Sequence, residues 1–223
     1  MPAHPRPLLL GHRGARASAN VTENTIAAFE LCLEHGCDGF EFDVRSAGSG
    51  VVVCHDETFR GLTLASAPAG DLAAQQALGF LPTLEQVLRN FASRCFLDIE
   101  IKDPGLESLV LDLLQRYRPE RGYVITSFLP EVLQRLRDLS PKVELGLIWD
   151  EPAAPWQSIL AQWALPERRL LNPELAAQLL GAGKRIGTWT ANSTTDMVRL
   201  AGMGAEMLIS DETVRLANTF RVS

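Results

Sequence analysis

The chain has 223 residues, 46% of them hydrophobic and 22% charged, with a formal net charge of −6. That length suits one large α/β domain, and the lack of any basic run argues against a nucleic-acid surface. No apolar stretch approaches the roughly 20 residues needed to cross a bilayer.

The opening Met1–Leu10 has no signal-peptide core, because its apolar run breaks at Gly11-His12-Arg13. The protein is therefore expected to be cytoplasmic, a single domain over residues 1–223. Cys32, Cys37, Cys54 and Cys95 form no Cys-x-x-Cys pair and read as small buried thiols in a reducing compartment.

Leu8–Gly11 reads as a strand that delivers His12 and Arg13 between two glycines. Asn24–His35 follows as a helix that Gly36 can end, with His35 at its C-terminus reading as structural. Gly39–Val44 is the next strand. Its period of two puts Glu41 and Asp43 on one face and Phe40, Phe42 and Val44 on the other. Two adjacent carboxylates repel each other and lose hydration, so the pair calls for a cation.

The small-residue turn Ser46–Gly50 is too short for a helical crossover. Val51–His55 is therefore expected to return as a hairpin, bringing His55 and Asp56 back beside the carboxylates. Residues 57–81 read as an irregular excursion. Thr83 then caps a helix over Leu84–Phe91, with Gln86 completing a capping box.

Phe96–Ile101 repeats the acidic alternation with Asp98 and Glu100 and is followed by Lys102. Glu100 reads as a ligand, Asp98 as a buried hydrogen-bonding partner. Beyond it, strands are expected at Tyr123–Ser127, Val143–Trp149, Arg169–Asn172, Arg185–Thr190 and Met207–Ser210. Helices are expected at Leu106–Tyr117, Pro130–Leu139, Trp156–Ala164, Pro173–Ala182 and Thr194–Ala201, the last capped at Thr194 and ended by Gly202. Strands alternating with crossover helices predict a parallel sheet, and eight of them in a chain this long predict a TIM (β/α)8 barrel. The hairpin and the short insertion follow the second strand.

Strand ends at the C-terminal side of such a barrel form its active site. His12, the Glu41/Asp43 pair, His55 and the Glu100/Lys102 pair all fall at ends of strand-like segments. Three carboxylates (Glu41, Asp43, Glu100) suit an oxygen-preferring divalent cation, Mg²⁺ or Ca²⁺. His12 and His55 are then free to move protons, and Arg13 and Lys102 to hold a phosphate. Together these point to phosphodiester cleavage.

In this combination the chain resembles the glycerophosphodiester phosphodiesterases, a branch of the PLC-like phosphodiesterase TIM barrels. The matching pieces are Gly11-His12-Arg13-Gly14, Glu23-Asn24-Thr25, Gly39–Val44, Val51–Asp56, Leu81–Glu85, Ile99–Lys102, Ser127-Phe128 and Thr188–Asn192, in the family's order. The resemblance implies Glu41, Asp43 and Glu100 as ligands of a divalent metal and His12 and His55 as the acid/base pair. It also implies phosphate contacts from Arg13 and Lys102. It further implies attack by the glycerol hydroxyl on phosphorus, a cyclic glycerol phosphate, and release of glycerol 3-phosphate from a small-molecule glycerophosphodiester.

Trp189 matches a pocket-lining tryptophan and Phe128 is similar, though both also suit ordinary core. Trp149, Trp156 and Trp163 read as packing. Asn24 either caps the first helix or braces the site. The segment Glu57–Thr63 departs from the family's arginine- and threonine-rich pattern, and the insertion is compact. That leaves room for a lysophospholipase-D-like activity on bulkier lipids. A non-catalytic phosphodiester- or metal-binding barrel is the remaining alternative.

Overall fold

Strand and helix alternate from Leu8 to Thr219 in the computed structural model, which describes residues 6–48 and 50–221. Residues 1–5 of the opening segment and Ser49 of the hairpin turn lie outside the described residues. The elements are β1 (Leu8–His12), α1 (Ile26–Glu34), β2 (Gly39–Ala47), β3 (Gly50–Val53), β4 (Thr58–Phe59), β5 (Leu62–Thr63), α2 (Ala69–Ala77), α3 (Leu84–Phe91), β6 (Phe96–Ile101) and α4 (Glu107–Tyr117). They continue with β7 (Tyr123–Ser127), α5 (Pro130–Leu139), β8 (Leu145–Trp149), β9 (Trp163–Pro166), α6 (Pro173–Gly181), β10 (Arg185–Thr188), α7 (Thr194–Gly202), β11 (Ala205–Ser210) and α8 (Thr213–Thr219).

Eight parallel strands run β1, β2, β6, β7, β8, β9, β10, β11, and β1 pairs with both β2 and β11 to close the barrel. The expected TIM barrel is the observed fold. Its interior is filled by Leu10, Val124, Ile148, Trp163, Leu165, Met207 and Ile209. The outward faces of the strands pack on the helices, where Phe29 stacks on Phe40 at 4.1 Å and Phe91 meets Phe40 edge-on at 5.1 Å. Each of these buried phenylalanines contributes about 2 kcal/mol by leaving water.

Gly39 sets the spacing of the strands that carry the acids. A Cβ there would lie 1.8 Å from the Phe96 carbonyl oxygen, so only glycine lets β2 approach β6 this closely. The resulting register puts Glu41 beside Asp98 and Asp43 beside Glu100, while His12 pairs with Glu41 across β1. As expected, β3 turns back antiparallel to β2, with Val53 opposite Val44. Cys54 then donates to the Asp43 carbonyl at 3.0 Å, which delivers His55 to the mouth.

The capping box at Thr83 and Gln86 forms as expected. Three local readings change. Residues 57–81 hold the β4–β5 ribbon and α2 rather than irregular chain. They pack Leu64, Leu72 and Leu81 onto Ala47, Val52 and Cys54. The helical signal was weak there because α2 anchors through Leu72 alone.

Trp156–Ala164 is not a helix, and Arg169–Asn172 is not a strand; the sixth barrel strand is β9. Its Trp163-Ala164-Leu165-Pro166 is buried throughout, and a short run without alternation cannot be told from helix by periodicity. Finally, Ser193 rather than Thr194 caps α7, by accepting from the Asp196 amide. The helix α8, packed against β1 and α7, had no counterpart in the sequence reading.

Candidate active site

Glu41, Asp43 and Glu100 are all buried, and one carboxylate oxygen from each lies within 4.8 Å of the others. Three like charges in one buried volume disfavour ionisation. Burial first, then Asp43, Glu100 and Asp98, push Glu41 well above the usual carboxylate range. Glu100 is pushed up to about 7 by burial and by Asp43, which together outweigh its 2.6 Å hydrogen bond from Lys102.

The Oε1 atom of Glu41 is buried without a hydrogen-bond partner among the described residues. A buried carboxyl oxygen left without a partner amid crowded acids marks a group that could hold a divalent cation. Asp98 is not part of that group. It accepts from the Thr126 hydroxyl at 2.7 Å, and burial foremost pushes it up to about 8, so it is a buried hydrogen-bonding partner as expected.

The two imidazoles flank the acids differently. His12 Nδ1 meets Asp211 Oδ1 at 2.7 Å, and Asp211 also accepts from Asn192 at 2.7 Å and Arg16 at 3.3 Å. Burial by itself would raise Asp211, but the His12 contact, Asn192 and Arg16 hold it well below the usual carboxylate range. An ionised carboxylate only accepts, so His12 donates from Nδ1. Its Nε2 then faces the acids, 3.9 Å from Glu41. His55 pairs Nδ1 with the exposed Asp56 at 2.7 Å. Burial lowers His55 below the ordinary imidazole value despite that partner.

Arg13 and Lys102 stand between these groups. Arg13 adopts a left-handed backbone (φ 54°), an unfavourable state for a non-glycine residue. That turn aims its amide at Glu41 Oε2 at 3.0 Å, while its guanidinium reaches Glu23 at 2.8 Å and Asp43 at 3.4 Å. Asn24, also left-handed at φ 57°, donates from its side chain to Asp43 at 2.9 Å. Thr25, not Asn24, caps α1, so Asn24 braces the site. Lys102 lies 3.6 Å from Asp43 and over the Phe128 ring at 5.5 Å.

All of these groups meet at a cavity of about 250 Å³ at the C-terminal end of the strands. Eight residues singled out from the sequence line it directly: His12, Arg13, Glu41, His55, Glu100, Lys102 and, on the far wall, Phe128 and Trp189. Asp43 stands behind Glu41 and Glu100. Phe128 and Trp189 pack edge-to-face at 5.5 Å, and the Trp189 ring N–H donates to the Leu165 carbonyl at 3.0 Å. Larger hollows exist, one of about 880 Å³ between α6 and α7, but no comparable set of polar groups converges in it.

Asp211 was missed from sequence. It directly follows β11, and only barrel closure brings it beside β1; a charged residue just past a strand was the one signal available. Asp150, following β8, also lines the cavity and was missed.

Fold and mouth define a TIM barrel whose buried acidic group at the strand ends could hold a divalent cation. The chain belongs to the glycerophosphoryl diester phosphodiesterase family, which it matches over residues 12–215. It is 30% identical to a glycerophosphodiester phosphodiesterase of Caldanaerobacter subterraneus, over 97% of this chain and 98% of that one. The crystal structure of a glycerophosphodiester phosphodiesterase from Thermotoga maritima superposes with a TM-score of 0.80 at 25% identity, covering 95% and 97% of the two chains. An Oleispira antarctica phosphodiesterase, solved with the product sn-glycerol-3-phosphate, has the same fold (TM-score 0.82, 20% identity, 96% of each chain). Among the described residues no helix is long and apolar enough to cross a membrane.

Proposed function

We propose that the protein hydrolyses glycerophosphodiesters to glycerol 3-phosphate and an alcohol. The observation that carries this reading is the single cavity where the Glu41/Asp43/Glu100 group, two carboxylate-paired imidazoles and two cations converge. Family membership supports it, as does the product held by the Oleispira relative.

Glu41, Asp43 and Glu100 would hold Mg²⁺ or Ca²⁺, both of which prefer oxygen donors. Such an ion, when bound, lends Lewis acidity to the phosphoryl oxygens. Arg13 and Lys102 orient the phosphate and add positive charge as its oxygens gain negative charge. One imidazole removes the proton from the glycerol hydroxyl next to the phosphate as that oxygen attacks phosphorus. The bond to the alcohol oxygen breaks, and the other imidazole donates the proton that the leaving oxygen needs. Water then opens the cyclic glycerol phosphate with the two roles reversed. Phe128 and Trp189 form the apolar wall against which the substrate lies.

Fixed imidazole tautomers support catalysis over mere binding, since a binding barrel has no use for two oriented proton carriers. The four free, buried cysteines support a cytoplasmic setting, with residues 1–223 working as one domain. The test is glycerol 3-phosphate release from a panel of glycerophosphodiesters after chelation and refilling with Mg²⁺ or Ca²⁺. Metal-restored release supports the reading, and no release under any metal overturns it.

A further inference from the structure

The proposed chemistry uses one side of the cavity, where β1, β2 and β6 end. The opposite wall is built from strand ends that take no part in the bond-making and bond-breaking steps. Phe128 follows β7, Asp150 follows β8 and Trp189 follows β10, and all three line the same 250 Å³ space. Asp150 is exposed, and its carboxylate has no hydrogen bond or ion pair among the described residues. Every other acid lining this cavity, Glu41 and Glu100, belongs to the buried group across it.

The wall beside Asp150 is aromatic and fixed. Trp189 is tied through its ring N–H to Leu165, and Phe128 stands nearly perpendicular to it at 82°. Two rings held at a right angle form the corner of a box, and a free carboxylate lines the same cavity. Aromatic faces attract cations through their quadrupole, and a carboxylate adds direct Coulomb attraction. Phe128 already carries a cation, since the Lys102 ammonium lies 5.5 Å from its centroid. The cavity is thus polarised across the barrel: Arg13 follows β1 and Asp150 follows β8, the strand opposite β1 in the barrel order, with Lys102 between them.

We propose that Asp150, with Phe128 and Trp189, forms a head-group subsite that selects glycerophosphodiesters whose leaving alcohol is an amino alcohol. This rests on the hydrolytic reading above. A substrate with an anionic phosphate and a cationic head group matches both ends of the cavity, with its glycerol arm left toward the imidazoles. A neutral head group satisfies one end only.

The experiment compares wild type with Asp150→Asn and Asp150→Lys on glycerophosphocholine, glycerophosphoethanolamine and the neutral-headed glycerophosphoglycerol, with divalent metal supplied. Wild type is expected to favour the two cationic substrates in kcat/KM. Asp150→Asn is expected to lower kcat/KM on those two about three- to fivefold, mainly through KM, and on glycerophosphoglycerol less than about 1.5-fold. Asp150→Lys should widen that difference. A larger effect on glycerophosphocholine than on glycerophosphoethanolamine assigns the main role to the aromatic corner, and the reverse assigns it to the carboxylate. Equal losses on all three substrates would overturn the subsite, because Asp150 would then be serving the shared glycerol phosphate. Unchanged kinetics on all three would overturn it as well. If wild type turns over none of them, the hydrolytic reading itself fails, so the two failures are distinct.

Discussion

His12 and Asp211 meet Nδ1 to Oδ1 at 2.7 Å across 199 positions of sequence, at the seam where β11 closes against β1. The contact fixes the His12 tautomer and turns Nε2 toward the buried acids. Replacing Asp211 by Asn offers an amide N–H that can invert that tautomer. We expect Asp211→Asn to lower kcat about tenfold to a hundredfold, with KM and metal affinity changed by less than about twofold. Steady-state kinetics beside a metal titration would check it, and a loss confined to KM would contradict it.

The buried acids link metal, protons and stability. Glu100 has a folded pKa of about 7 against a reference of 4.5, and Glu41 is raised as well. A carboxyl raised in the folded state keeps a proton that the unfolded chain releases, so its stabilising contribution is present at low pH and lost as pH rises through that window. Metal-free protein should therefore lose Tm between about pH 5 and pH 8. Metal must displace the retained protons, so affinity should climb with pH and binding should release protons. Thermal melts with and without metal, and calorimetry in two buffers, would check both signs.

Gly39 is the steric gate for the acidic pair. Gly39→Ala would drive a Cβ into the Phe96 carbonyl at 1.8 Å and force β2 from β6, separating Glu41 from Asp98 and Asp43 from Glu100. We expect a loss of more than about 3 kcal/mol of stability, or failure to fold. Gly70→Ala is the control. Its Cβ meets open space in α2, so a change of less than about 1 kcal/mol, favourable in sign, is expected from denaturant melts.

Asn24 supports the acids from the loop before α1. Asn24→Ala removes the donor to Asp43 and places a less tolerant residue at φ 57°. We expect about 1–3 kcal/mol lower stability and weaker metal binding. Asn24→Gly should recover part of the stability but not the metal affinity, because only the backbone strain is relieved.

What could be read from the sequence follows from how local each signal is. The Glu41/Asp43 and Asp98/Glu100 alternations were legible because strand period alone assigns their faces, and the observed β6 matches Phe96–Ile101 residue for residue. The return of His55 was legible because the small-residue stretch Ser46–Gly50 is too short for a helical crossover, and β2 and β3 pair antiparallel through it. β9 was not, since a strand buried on both faces carries no alternation. Asp211 was not, because its partner is supplied by barrel closure, which no local pattern encodes. Asp150 escaped for a related reason: only the closed barrel brings it to the cavity that Phe128 and Trp189 also line.

The most direct measurement is glycerol 3-phosphate release by His12→Ala and His55→Ala, each beside its own metal-binding isotherm. We expect both variants to lose turnover by at least about a hundredfold while binding the divalent metal nearly as wild type does. Turnover unchanged in both would contradict the assignment of these imidazoles as the proton carriers beside Glu41, Asp43 and Glu100.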